Sequence, residues 1–264
     1  MLYFPQLVTG SISQFPIQRS VQSRTITNEL LGGENIRAAD PGASTVRWQL
    51  HYGGLTDAEW LSIAQLFQAA EGQFNTFTFL DPSDNLLVWS EDWTQRGWSA
   101  DPLLTVGIGA QDPFAGSNAI QLTNNAQTTQ RMKQAIGGPS WFQYCFSVFL
   151  RTDAACQVQL VCSTGSQEVA TAVAVGATWN RASGSAALSV VQDGVTFSIE
   201  VPAGARVYGF GAQVEAQLAP GTYKKTTDLG GVYANARFDS DVLVRAVDGP
   251  NQNSCIVRVM SKLS

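Results

Sequence analysis

The sequence predicts a mainly β protein: a discontinuous β-barrel or sandwich domain with one packed α-helix, interrupted by an inserted antiparallel β-sandwich. Three observations predict it. Of the 264 residues, 44% are hydrophobic and only 14% charged, with 24 glycines. That suits a β protein with many turns and neutral-polar faces, since charged residues usually make up about a quarter of a soluble chain. Period-two alternation recurs along nearly the whole sequence, and only one segment has a helical period. Finally, the N-terminal unit has too few strands to close a sheet, and a strand pair follows at the far C-terminal end that can cover the open edge.

The first strand places Val21, Ser23, Thr25 and Thr27 on one face and ends near Leu31. Gly32-Gly33 marks a turn and ENIRAADPGAST reads as a polar stretch. Val46, Trp48, Leu50 and Tyr52 then alternate with Arg47, Gln49 and His51, so the whole reads as a long hairpin. GLTDAEWLSIAQLFQAAEG is the helix. Thr56 and Glu59 have capping-box spacing, and Leu55 and Trp60 stand at the staple positions. Trp60, Ile63, Ala64 and Phe67 make its apolar face, and Gly72 supplies the left-handed stop. Phe74 to Leu80 reads as a buried strand ending at Asp81-Pro82.

After Pro82 the texture changes. NLLVWSEDWTQRGWS carries three tryptophans, and every segment to about Thr227 is a short strand bounded by turn residues. This spacing indicates a β-sandwich. DLGGV reads as a glycine linker. NARFDSDVLVRAVDGPNQNSCIVRVMSKL reads as two strands around Asp248-Gly249-Pro250-Asn251. The economical organisation is an insertion: 1–84 and 230–264 form one domain, and 85–229 are a module placed at a surface turn.

Composition bounds the function. A net charge of −5 argues against a nucleic-acid binder, which needs a basic face. No apolar run reaches the ~18–20 residues of a membrane helix. MLYFPQLVTGSISQFP lacks a basic start and a continuous apolar stretch, which predicts folding in a cytoplasm. Cys145, Cys156, Cys162 and Cys255 form no C-x-x-C pair and are expected to be unpaired thiols rather than zinc ligands.

No catalytic constellation assembles, and the chain is not predicted to be an enzyme. His51, the only histidine, sits in a predicted strand. Glu91-Asp92, Glu200 and Glu215 could serve as acid–base carboxylates, but sequence brings no two of them together. The glycines lack phosphate-loop spacing, so no cofactor is expected. Asp81, Asp84, Asp239 and Asp241 could approach a calcium ion or serve as turn and cap residues. Trp89, Trp93 and Trp98 could stack on sugars or anchor the core.

Alternation gives a sharper candidate. Phe142, Tyr144, Phe146, Val148 and Leu150 share the expected core face, leaving Cys145, Ser147, Phe149 and Arg151 on the other. Phe210, Ala212 and Val214 are likewise expected in the core, with Gln213 and Glu215 pointing out. Phe149, Arg151, Gln213 and Glu215 are therefore the candidate glycan-binding set, with an ordinary solvated sheet face as the alternative.

Two resemblances sit on these phrases. The outer unit, RTITNELLGGENIRAADPGASTVRWQLHYGGLTDAEWLSIAQLFQAAEGQFNTFTFLDP joined to ARFDSDVLVRAV and SCIVRVMSKL, resembles the distal tail and minor tail proteins of long-tailed bacteriophages and gene transfer agents. The resemblance implies a tail-ring domain that forms an oligomeric ring, with a hexamer favoured. It also implies a place at the distal end of the virion, with the tail tube protein and the tip, hub or baseplate proteins as partners. The inserted module, through NLLVWSEDWTQRGWS, FSVFLRTDA, ATWNRASGS and FGAQVEAQLAPGTYKKTT, resembles carbohydrate-binding-like jelly rolls. That implies contact with host-surface glycans, or a spacer. A stand-alone secreted glycan-binding protein is the alternative reading.

Overall fold

A computed structural model describes residues 1–263. The chain is mainly β. It runs β1 (Ile17–Glu29), β2 (Asn35–Leu55), α1 (Asp57–Ala69) and β3 (Phe77–Leu80). Ten strands follow: β4 (Trp98–Ala100), β5 (Leu104–Ala110), β6 (Ala119–Asn124), β7 (Gln130–Pro139), β8 (Tyr144–Arg151), β9 (Cys156–Ser163), β10 (Glu168–Val175), β11 (Asn180–Ala186), β12 (Asp193–Val201) and β13 (Arg206–Glu215). The chain ends with β14 (Val232–Phe238), β15 (Ala246–Gly249) and β16 (Gln252–Lys262). It divides into two compact units. One comprises Met1–Leu7, Ser13–Phe79 and Tyr233–Ser264; the other comprises Val8–Ile12 and Leu80–Val232.

The first unit is one sheet in the order β1-β2-β16-β14-β3, with β15 paired to β16. The C-terminal β16 lies directly beside β2, with Val259 opposite Trp48 and Val257 opposite Leu50. The inward residues of β2 are the expected ones: Val46, Trp48, Leu50 and Tyr52 are all buried. Trp48 packs on Phe79 at 4.8 Å, and Phe79 on Phe4 at 5.4 Å. Three elements differ from the sequence reading. The polar stretch from Asn35 is strand, because it continues the ladder with β1 (Asn35 opposite Glu29). The buried strand after the helix starts only at Phe77, leaving Phe74 exposed. The final hairpin is shorter than expected: β14 stops at Phe238, and only β15 turns through Asn251 (φ 54) into β16.

Thr56 caps α1 through the expected box. Its hydroxyl accepts from the Glu59 N–H at 3.2 Å, and the Glu59 carboxylate accepts from the Thr56 N–H at 2.9 Å. The buried line is Ile63, Leu66 and Ala70. The face is thus rotated towards Leu66, and Phe67 is half-buried at its edge against Phe238 at 5.0 Å.

The second unit is an antiparallel jelly-roll sandwich of two five-stranded sheets, β10-β9-β12-β7-β4 and β11-β8-β13-β6-β5. Tyr144 and Phe146 of one sheet meet Phe197 of the other at 5.4 and 5.8 Å. Trp93 and Trp98 stack in this core at 5.2 Å, and their ring N–H groups donate to the carbonyls of Ser90 and Val88. Residues 85–90 and 224–231 bind each other closely. The Trp89 N–H donates to Thr227 O at 2.6 Å, the Thr226 hydroxyl to Leu87 O at 2.7 Å, and the Gly231 N–H to Asn85 O at 2.7 Å. A Cβ at Gly230 would stand 2.9 Å from two carbonyl oxygens. The DLGGV glycines are therefore close-approach residues, not a linker.

Candidate functional site

The outer face of the β11-β8-β13-β6-β5 sheet collects the residues singled out above. On β8, Tyr144, Phe146, Val148 and Leu150 are fully buried in the sandwich, as alternation predicts. Cys145, Ser147, Phe149 and Arg151 take the other side. β11 sets Arg181 opposite Phe149, and β13 sets Tyr208 opposite Arg151. The β13 ladder then slips: Phe210 is opposite Phe149, but the next paired residue, Gln213, is opposite Ser147. Gly211, at φ 63, absorbs the extra residue as a bulge. Phe210 therefore belongs to the outer face, not the core where uninterrupted alternation would place it.

The face has three parts, one after the bulge and two before it. At one end the chain after β13 folds back as a roof. Gln213 donates to Thr222 O at 3.2 Å and accepts from the Lys224 N–H at 2.7 Å. Glu215 accepts from the Gly221 N–H at 2.8 Å and pairs with Lys224 Nζ at 3.2 Å. Arg181 reaches under the roof to Gly221 O at 2.6 Å and to the Ser147 hydroxyl at 2.9 Å. Gln213 and Glu215, expected in solvent, are 0% and 4% exposed. Their polar groups are spent on the roof backbone, so they do not present a surface.

In the middle lies an aromatic cluster. Phe149, Phe210 and Tyr223 sit about each other at 5.9–6.3 Å, and Phe114 contacts Phe149 and Phe210 edge-on at 5.7 and 5.8 Å. Phe114 itself is 65% exposed. Its loop is built on Asp112, whose carboxylate accepts the N–H groups of Phe114, Gly116 and Asn118 at 2.8–3.2 Å. Burial pushes the Asp112 carboxyl up, but those three donors, with help from the Lys225 charge, outweigh it and hold it below the usual carboxylate range. At the far end Arg151 lies over the Tyr208 ring at 4.3 Å, and Asp153 binds both the Tyr208 hydroxyl (3.0 Å) and Arg151 (3.3 Å).

The four candidates are thus not one set. Phe149 and Arg151 remain half-exposed, while Gln213 and Glu215 are covered. Sequence reading missed Tyr223, Phe114, Tyr208 and Arg181. A signal for Phe114 existed in QDPFAGSN, an Asp-Pro turn with an aromatic at its tip. Nothing in one sequence reports which strand Tyr223 folds back upon.

The other polar candidates have structural partners. Glu91 pairs with Lys225, Glu200 with Arg131 and Glu215 with Lys224. His51 Nε2 shares a hydrogen bond with the Gln49 amide. Asp81 accepts from the Ser83 N–H and hydroxyl, Asp239 pairs with Arg47, and Asp241 accepts from the Gln73 N–H. Among the described residues no His/Cys/Asp/Glu group is placed to hold a metal ion. All four cysteines are free, and burial pushes the thiols of Cys162 and Cys255 up to about 12 and 11.

No family model matches the sequence, and no curated protein does. Solved structures share distant likeness over about half of the chain. The CBM22-1 xylan-binding domain of Paenibacillus barcinonensis Xyn10C is 15% identical (TM-score 0.42), over 52% of this chain and 97% of that one. TmCBM61 in complex with β-1,4-galactotriose is 15% identical (TM-score 0.38), over 50% and 98%. The enzymatically active domain of tailspike protein 4 from bacteriophage CBA120 is 11% identical (TM-score 0.42), over 52% and 22%.

Proposed function

We propose that the chain is a structural protein of a phage tail tip. It assembles with copies of itself into a ring at the distal end of the virion, between the tail tube and the tip or baseplate proteins. Its jelly-roll unit is a decoration that contacts host-surface glycans. The tail context rests on the resemblance of the outer-domain phrases, from the capped helix to the closing C-terminal strands.

The observation that carries assembly is the β1–β2 ribbon. β1 is exposed along nearly its whole length, and residues 28–39 around the turn are exposed without a break. Val21, Ile26, Leu30, Leu31 and Ile36 all stand in solvent. A two-stranded ribbon without cover on either face is marginal in water. It also leaves unpaired strand edge that another chain can use. A neighbouring copy would supply the cover, and the sheet would then continue from subunit to subunit.

The test is light scattering on size-exclusion fractions, with electron microscopy of the peak. The expected result is a closed oligomer. Shortening the ribbon by replacing residues 23–44 with Asn-Gly, between the paired Gln22 and Thr45, should give a folded monomer. A wild-type monomer at all concentrations that binds glycans would instead support a stand-alone glycan-binding protein.

A further inference from the structure

The second unit has an open cleft of about 330 Å³. It is lined by Trp89 and Glu91 with Lys225 and Thr227, by Ile108 of β5 and by Asn118 of the β5–β6 connection. Three independent features meet at Trp89. It lines the cleft. Its backbone is held at φ 51, a left-handed conformation that bulky residues avoid. Its indole N–H has no acceptor among the described residues. The strained conformation is enforced by the 2.6 Å bond from its N–H to Thr227 O and by the Trp98 ring N–H, which donates to its carbonyl at 3.1 Å. Neither Trp93 nor Trp98 carries such strain; both are buried core residues. Strain of this kind persists where the surroundings over-determine it, and it gathers at binding sites.

The polar groups are fixed as well. Glu91 is oriented by the Tyr223 hydroxyl at 3.1 Å and by Lys225 Nζ at 2.6 Å. The neighbouring Asp92 is engaged by Thr94 and Gln95. Asn118 is anchored by its backbone N–H on Asp112, and its exposed amide is left at the rim.

We propose that this cleft is a saccharide-binding site. Trp89 forms the surface against which one sugar ring rests, and Asn118 and the Glu91–Lys225 pair bind its hydroxyls. The chemistry selects the class. An anion would meet Glu91 and Asp92. A cation would compete with Lys225 for carboxylate oxygens that already have donors. A purely apolar ligand would strip water from the ion pair without replacing its hydrogen bonds. A neutral polyol ring satisfies both sides: its apolar face covers the indole, and its hydroxyls both donate and accept. The proposal rests on the glycan-contact part of the function proposed above and places that contact here rather than on Phe149 and Arg151.

The test uses the full chain on a glycan array of neutral and uronic-acid oligosaccharides, followed by titration calorimetry with the best neutral binder. Trp89→Gly removes the stacking surface while permitting the backbone conformation, and Asn118→Ala removes an exposed amide only. Each should weaken binding at least tenfold. Glu168→Gln, on the opposite sheet, should leave it unchanged. Should Trp89→Gly unfold the unit, Asn118→Ala carries the test alone. Binding within threefold of wild type in the variants overturns the site, and its loss in Arg151→Ala instead would move glycan contact to the outer face. No binding of any array glycan by wild type overturns both the site and the glycan part of the function, and leaves ring assembly to be judged by light scattering.

Discussion

Phe210 stands directly opposite Phe149 across the β8–β13 ladder, with ring centroids 6.3 Å apart, on the outer face of the sandwich. One residue makes this possible. Gly211 takes a left-handed φ of 63 and lets β13 carry an extra residue between Phe210 and Gln213. Before the bulge, Tyr208 and Phe210 face out; after it, Gln213 and Glu215 face out. The bulge thus joins an aromatic patch to a polar one that would otherwise lie on opposite sides of the sheet.

Gly211→Ala should therefore cost more than an ordinary surface change. The new Cβ would sit 3.0 Å from the Tyr223 ring in a conformation that L residues avoid. The expected loss is about 1–3 kcal/mol, read from urea unfolding of the jelly-roll transition. A change below a few tenths would mean that β13 can shed its bulge.

Gln213→Ala should loosen the roof without disturbing the sandwich. The substitution leaves the Lys224 N–H and the Thr222 carbonyl without their side-chain partner. Water can replace the partner of the exposed Thr222 carbonyl, but the half-buried Lys224 N–H loses its acceptor at a cost of up to about 1–3 kcal/mol, so residues 217–225 should open locally. Limited trypsin digestion should then cut at Lys224 or Lys225 well before the sandwich unfolds. Wild-type resistance in the variant would show that Glu215 and Arg181 alone suffice.

The helix separates cap from core. Thr56→Ala should cost about 1 kcal/mol through the lost capping box. Leu66→Ala should cost about 2–5 kcal/mol because Leu66 is 6% exposed. Phe67→Ala should fall between them, since Phe67 is half-buried at the edge of the packed face. Chemical denaturation of the first unit would rank the three, and a Phe67 effect as large as that of Leu66 would overturn the rotated face.

Much of this was legible because it is local. The capping box, the alternation Val46-Trp48-Leu50-Tyr52 and the inward face of β8 each follow from spacing within one element. What was hidden is non-local. Burial of Gln213 and Glu215 depends on a segment that leaves the sheet at Ala216 and returns at Tyr223, and no periodicity reports a return. The parity of Phe210 depends on whether Gly211 adopts a positive φ, which glycine permits but does not require. The strand character of the Asn35 stretch comes from its partner β1, not from its own polar composition. Trp89 was grouped with Trp93 and Trp98 by residue type. Only the fold separates the strained residue at the cleft from the two that fill the core.

Acid should act on the Phe114 loop through Asp112. Its carboxyl is pushed up by burial, but more strongly pulled down by the Phe114, Asn118 and Gly116 N–H groups, so its folded pKa lies below the unfolded value of about 3.9. A depressed folded pKa means that the ionised carboxylate stabilises the loop fully above that unfolded value, and that this stabilisation is lost as pH falls through the folded pKa. The loop should therefore be indifferent to pH above about 5 and loosen only in stronger acid. NMR of the Phe114, Gly116 and Asn118 amides should show a shared titration with its midpoint below 3.9. Asp112→Asn should abolish that titration and weaken the loop at every pH, because a neutral amide oxygen is a poorer acceptor for three donors. Asn118 stands on the cleft wall, so saccharide affinity should fall in the same acid window. A midpoint at or above 3.9 would show that burial, not the N–H cradle, governs this carboxyl.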